Sequence, residues 1–183
     1  MKKIFAILFF TVCFAGAAYA AEDSPGLFES WFAAMGRTLK SPTGIDIYRP
    51  VWVHHMRWNY SQEQIDRYNE NPGGLGFGIN RVEGYREHSL SALVFTDSNY
   101  RTQGVLGYGW LARLNEPGTF FNIGGGFTVT LQMRHEYFYI PLPLPLPLAG
   151  VDIGPFSLQT AYVPGWPGMG NVAIFWLRLT IPI

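Results

Sequence analysis

Most of this chain alternates between apolar and polar side chains. The clearest stretch runs from Phe121 to Met133. Phe121, Ile123, Phe127, Val129, Leu131 and Met133 take one parity; Asn122, Gly124, Gly126, Thr128, Thr130 and Gln132 take the other. Successive side chains of a strand point to opposite faces, so this parity predicts a strand with one apolar and one polar face. A soluble sandwich would turn the apolar face inward, whereas a membrane barrel turns it outward. From Ile47 to Tyr60, the even positions Tyr48, Trp52, Met56, Trp58 and Tyr60 are expected to face out. The odd positions His55, Arg57 and Asn59 are expected to face the lumen. Further on, Leu106, Tyr108 and Trp110 share one face, while Val105, Gly107 and Gly109 share the other.

Such segments fall near 46–60, 74–85, 88–98, 104–114, 119–134, 146–153, 156–163 and 171–183. Connections around 61–73 and 135–144 are long, and those at 114–118 and at Gly154-Pro155 are short. Long outer loops alternating with short inner turns, on an even strand count, predict an all-β fold: an eight-stranded antiparallel transmembrane β-barrel. Ahead of it, Leu27, Phe28, Trp31, Phe32, Met35 and Leu39 recur at spacings of three and four. They predict one amphipathic helix over about residues 24–39, begun by Ser24-Pro25 and ended by Ser41-Pro-Thr-Gly44. That helix could pack on a core or lie at a membrane surface. The barrel is expected over about 45–183. No repeat or second domain is visible, and Leu142-Pro-Leu-Pro-Leu-Pro-Leu148 is too apolar for an exposed linker.

The first twenty residues form a separate object. Lys2 and Lys3 precede an apolar run from Ile4 to Phe14, and Ala18-Tyr19-Ala20 fits a small-x-small cleavage site. This predicts a secretory signal over 1–20 and a mature domain over 21–183. The run is too short for a spanning helix. The single cysteine, Cys13, leaves with the signal, which removes disulfides, thiol catalysis and thiolate metal sites. Removing Lys2 and Lys3 from the 13 basic residues leaves 11 against 13 acidic ones, so no basic excess suggests nucleic acid. Aromatic residues reach 16% and charged residues only 14%. An exported chain of that composition can be an integral membrane protein if it closes into a barrel.

Without cysteine, the catalytic choices are few. His55 is expected to face the lumen near the outer end of the first strand, and His54 to face outward. Asp97 and Ser98 end the third strand, at the same rim. A base, a carboxylate and a hydroxyl together can serve acyl transfer. Proline breaks strand ladders, since it has no backbone donor. Pro50 and Pro72 flank one strand–strand seam, and Pro147, starting the sixth strand, and Pro164 flank another; gaps there would admit a lipid chain sideways. Gly107 and Gly109 leave interior volume on the fourth strand.

At this point the chain resembles the lipid A palmitoyltransferases of Gram-negative outer membranes over nearly all of its mature length. The resemblance rests on Asp66-Arg-Tyr-Asn-Glu70, Gly76-Phe-Gly78, Phe95-Thr-Asp-Ser98, Gly107-Tyr-Gly-Trp110, Tyr139-Ile-Pro-Leu-Pro143, Tyr162-Val-Pro-Gly165 and Gly170-Asn-Val172, in order and at nearly constant spacing. It implies an eight-stranded barrel with an N-terminal amphipathic helix. It also implies calcium-free transfer of palmitate from the sn-1 position of a phospholipid to a hydroxyl-bearing acyl chain of lipid A. The family's essential residues fall on His55, Asp97 and Ser98, and its lateral-access prolines on Pro50, Pro72, Pro147 and Pro164. Its pocket-floor glycine falls on Gly109, and a structural arginine on Arg134. Three departures stand out: His54-His55 in place of Trp-His, a third-strand approach about one residue shorter, and an Ile181-Pro-Ile183 end without an aromatic residue.

The expected activity is therefore lipid A acyltransfer in the outer membrane, with phospholipid as donor, no cofactor or metal, no nucleic-acid partner, and a monomer. In the simplest mechanism His55 is the general base and Asp97 orients or stabilises it. Ser98 is either a transient nucleophile or an oxyanion donor. An outer-membrane phospholipase and a structural or adhesion barrel are the rival readings.

Overall fold

The computed structural model describes residues 26–166 and 170–183; the expected signal segment and the Ser24-Pro25 helix start lie outside them. Helix α1 (Leu27–Lys40) leads into eight strands. These are β1 (Gly44–His55), β2 (Gly74–Glu83), β3 (Arg86–Thr96), β4 (Thr102–Arg113), β5 (Phe121–Met133), β6 (Leu142–Ile153), β7 (Phe156–Val163) and β8 (Val172–Pro182). A short helix α2 (Gln62–Ile65) sits in the β1–β2 loop. The strands pair in sequence order, all antiparallel, and close β8 onto β1. Closure leaves no free sheet edge running the length of the wall. No helix among the described residues is long and apolar enough to cross a membrane, which says nothing of the strands.

The alternation of β5 reads out as expected. Phe121, Ile123 and Leu131 are exposed on the outside, while Asn122, Thr128 and Thr130 are buried in the lumen. This inversion of a soluble core is what an apolar surroundings demands. Strand β1 departs from simple parity. Asp46, Tyr48 and Pro50 face in, and so do Val53 and His55, because a bulge between Pro50 and Trp52 inserts Val51. A bulge adds one residue and exchanges the two faces beyond it. Tyr48 is therefore a lumen residue, 3% exposed, and not an outward one. Its hydroxyl donates to Asp46 Oδ2 at 3.2 Å, which explains a tyrosine on the polar side. The strand also ends at His55, so Met56 to Tyr60 belong to a turn, and Tyr60 is buried against His55 rather than outward.

Strand β6 begins at Leu142, earlier than the alternation suggested, so Pro147 lies inside it rather than at its start. Its leucines face in, with Leu146 and Leu148 buried, and its prolines take the other parity. The sequence left open which side helix α1 buries; Ala34 and Thr38 form its buried face, whereas Phe32 and Leu39 are exposed. Helix α1 packs against β2 and β3, and Trp31 reaches Phe127 with ring centroids 5.0 Å apart. Outward-facing His88 and Tyr108 are buried on this side of the wall and share a 2.8 Å hydrogen bond.

The half of the lumen nearest the start of β1 and the end of β8 is filled with charge. Arg178, 2% exposed, pairs with Glu87 and approaches Asp46 and Asp152 at 3.9 Å. Arg113 pairs with Glu87 and with Asp152 at 3.1 Å. Asn80 and Thr180 each donate to Asp46 at 2.7 Å. Three carboxylates and two guanidiniums are tolerable here only as a mutually paired set. Arg178→Leu would leave the carboxylates with Arg113 alone. We expect it to lower unfolding stability by about 3–5 kcal/mol, read from urea titrations in detergent or vesicles. A loss below about 1 kcal/mol would mean that the network contributes little.

Candidate active site

The wall loses its ladder at two places, both in the half of the barrel that holds His55 and Leu142, called the outer half below. The β1–β2 ladder runs only from Gly44↔Asn80 to Tyr48↔Gly76, while β1 continues to His55 paired with β8 alone. Pro50 lies just past the last pair, and Pro72 just before β2. The β6–β7 ladder stops at Leu148↔Ala161, although β6 extends back to Leu142. Pro147 lies just past that stop, and Pro164 follows β7. Because β6 pairs with β5 without a break to Leu142, the donors missing at Pro143, Pro145 and Pro147 are those that would face β7. The two proline pairs singled out in the sequence thus flank the two places where pairing stops.

Between the seams a cavity of about 580 Å³ opens at the outer end of the lumen. His55, Asp97 and Ser98 all line it, with Tyr60, Tyr68 and Arg134. The structure thus brings the three expected residues to one cavity. His54 points the other way, beside Trp52 at 4.9 Å between rings. A smaller cavity of about 60 Å³ lies deeper and shares Phe95, Gln103, Gln132 and Ile174 with the first. Its walls include Pro50, Gly109, Leu146, Leu148 and Trp176, with Tyr48 from the level of the charge network. A Cβ on Gly109 would stand 2.6 Å from Ser89 Oγ, so this wall has no spare room. Gly107 faces the same way but lines neither cavity; a Cβ there would meet Ser91 Oγ at 3.1 Å.

The His55 ring is 3% exposed, stacked on Tyr68 at 4.6 Å and met edge-on by Tyr60 at 5.2 Å. The carboxylate in contact with it is Glu70. Glu70 Oε1 lies 3.0 Å from the His55 backbone N and 3.1 Å from its Nδ1. Arg57 donates to both Glu70 oxygens, at 2.8 and 2.7 Å. Burial opposes charge on Glu70, but Arg57 and the His55 donors outweigh it and hold its pKa at about 2.

Asp97 is satisfied differently. Its Oδ1 accepts the backbone N–H groups of Asn99 at 2.8 Å and Arg101 at 2.9 Å, and Arg134 reaches Oδ2 at 3.4 Å. Among the described residues, no hydrogen bond joins Asp97 to His55. The two halves of the site are tied instead by consecutive loop residues. Asn69 donates its backbone N–H to the Ser98 carbonyl at 2.9 Å and its side-chain amide to the Asp97 carbonyl at 3.3 Å. Glu70 then holds His55. Sequence reasoning gave Arg57, Tyr60, Tyr68, Asn69 and Glu70 no role in the chemistry; the one signal was the Asp66–Glu70 stretch itself.

Comparison with known proteins completes the assignment. Residues 35–178 match the family described as antimicrobial peptide resistance and lipid A acylation protein PagP. A lipid A acyltransferase PagP of Edwardsiella tarda (strain FL6-60) is 41% identical over 166 residues, covering 90% of this chain and 89% of the relative. One from Proteus mirabilis (strain HI4320) is 43% identical over 158 residues, covering 82% and 74%. One from Erwinia amylovora (strain ATCC 49946) is 36% identical over 186 residues, covering 97% of each. By the length of these matches and the barrel they fall on, the chain belongs to the PagP family of lipid A acylation proteins.

Proposed function

We propose that this barrel sits in the outer membrane as a monomer and moves a palmitoyl chain from the sn-1 position of a phospholipid to a hydroxyl of lipid A. Residues 1–20 serve as the export signal and are removed after Ala20. One observation carries the reading: His55, Asp97 and Ser98 line the mouth of a lumen cavity set between two seams at which the wall has lost its ladder. A donor chain can pass sideways through a seam defined by Pro50 and Pro72, or by Pro147 and Pro164, and lie in the lumen with its ester at the rim.

His55 acts as general base. It takes the proton of the lipid A hydroxyl as that oxygen bonds to the ester carbonyl carbon. The resulting oxyanion takes a hydrogen bond from the Ser98 hydroxyl. Collapse breaks the bond to the glycerol oxygen, which recovers the proton from His55 and leaves as lysophospholipid. Asp97, buried and held by backbone donors and Arg134, fixes the turn that presents Ser98. In a route through a Ser98 ester, Ser98 would attack first and the lipid A hydroxyl would follow.

His55→Ala should reduce transfer by about 10²–10⁴-fold. Ser98→Ala should reduce it by roughly 10²–10³-fold, and Asp97→Ala should also impair it strongly. His54→Ala should leave transfer near wild type. Each variant is first checked for folding by its gel mobility before and after boiling; products are then weighed by mass spectrometry. An active His55→Ala protein would remove the base. Free fatty acid with no acylated lipid A would identify a phospholipase instead. A mass increase of one acyl chain on Ser98 would establish the covalent route.

Gly109 should set how far the chain descends. Met at this position projects into the deeper cavity and displaces Ser89. Each methylene left unburied costs roughly 0.8 kcal/mol, and a tight apolar pocket discriminates one methylene by about 1–3 kcal/mol. Offered donors of mixed chain length, Gly109→Met should therefore select shorter chains. A folded, active variant with the wild-type preference would assign Gly109 to strand packing alone.

A further inference from the structure

We propose that Glu70 is the positioning carboxylate of this site. It accepts the Nδ1–H of His55, so that Nε2 presents its lone pair to the cavity. The proposal rests on His55 being the base. It differs from the roles given to Asp97, whose oxygens are occupied by Asn99, Arg101 and Arg134.

The geometry makes the tautomer a matter of elimination. An ionised carboxylate only accepts hydrogen bonds, and Glu70 is ionised at any working pH because Arg57 and His55 hold its charge. With Oε1 at 3.1 Å from Nδ1, that nitrogen must carry the proton. The ring cannot rotate freely, because Tyr68 stacks on its face and Tyr60 abuts it. Arg57 grips both Glu70 oxygens from the far side, so the carboxylate is itself held. Base, orienting carboxylate and a third group fixing the carboxylate are the parts of a triad's base half.

A purely structural role competes. Glu70 also completes β1 where β2 has left it. Its carbonyl accepts from Val53 N at 2.9 Å, and Oε1 accepts from His55 N at 3.0 Å. It could staple the loop to the strand and do nothing else. The test therefore needs a readout that a staple does not move.

Glu70→Gln keeps an acceptor oxygen and loses the charge; Glu70→Asp keeps the charge. Both are folded as full chains in detergent, checked by gel mobility, and assayed for transfer across pH. We expect Glu70→Gln to lower kcat by at least about tenfold with KM little changed. We also expect the acid limb of its pH profile to move down by on the order of one pH unit. The sign follows from the base being neutral imidazole. The carboxylate favours imidazolium, so without it His55 gives up its proton at lower pH and is a weaker base. Glu70→Asp should restore the acid limb. The other titratable or charged groups around the ring are Arg57, His54, Tyr60 and Tyr68, with Asp97 and Arg134 across the cavity. All are retained in both variants. Ring-nitrogen NMR of the wild type should report Nδ1–H.

An unshifted acid limb with kcat within about twofold, beside an inactive His55→Ala, would leave Glu70 a loop staple and overturn the proposal. Transfer surviving in His55→Ala would overturn the assignment of the base, which is a separate failure. If Glu70→Gln does not fold, the wild-type spectrum decides: Nε2–H with bare Nδ1 would overturn the proposal, and Nδ1–H supports it.

Discussion

Backbone N–H and C=O groups in a membrane wall must find partners within that wall, since apolar surroundings offer none. This barrel is fully paired through the half that holds the charged network and leaves two seams open in the other half. At one seam the relaxation is written into β6. Proline at every second position removes the donors that would face β7, so the strand can end its pairing without abandoning N–H groups. At the other seam β1 gives up one donor at Pro50, keeps those beyond it, and loses β2. There Glu70 takes over, with its main-chain oxygen on Val53 and its carboxylate on His55. The opening in the wall and the anchoring of His55 thus have one cause. A strand left half-paired recruits a loop, and the loop residue it recruits carries a carboxylate.

The lumen is divided by the same economy. Charge gathers in the inner half, where Arg113 and Arg178 are shared among Asp46, Glu87 and Asp152. Breaking any member would strand a buried charge, so the set forms a rigid floor. Above it the lining turns to Leu146, Leu148, Val105, Trp176 and the hydroxyls of Ser89, Ser91 and Thr130. Gly109 stands at this boundary, with Ser89 Oγ where its side chain would begin. A cavity that opens at one end and meets charge at the other has a defined depth, and the residues at the boundary fix it.

Where the fold was legible, one physical rule acted alone. Strand β5 shows this best: nothing interrupts its pleat, so parity gave both faces correctly. Tyr48 was misplaced because the Val51 bulge exchanges faces mid-strand, and because a tyrosine with Asp46 beside it is at home in the lumen. The two errors compensated at His55, whose inward direction was correct. The start of β6 was hidden because alternating proline argues against a strand until the missing donors are assigned to a side. The helix was legible, and which of its sides meets the barrel was left open. Against the outer wall of a barrel, small Ala34 and Thr38 permit close packing, while Phe32 and Leu39 remain exposed, so apolar no longer means inward.

The site was legible as a set of residue types and not as a set of pairs. His55, Asp97 and Ser98 were placed at one rim by strand direction, and they do line one cavity. Strand direction cannot say which carboxylate meets the imidazole. Asp97 follows β3 at a tight turn, and an aspartate there hydrogen-bonds the backbone two residues on, as it does to Asn99. That local demand occupies it. The partner of His55 comes from a loop residue whose position depends on α2, on Asn69 gripping Ser98, and on the absence of β2 beside β1. Each of these is a tertiary outcome. Local chemistry therefore settles Asp97, and only the path of the loop settles Glu70.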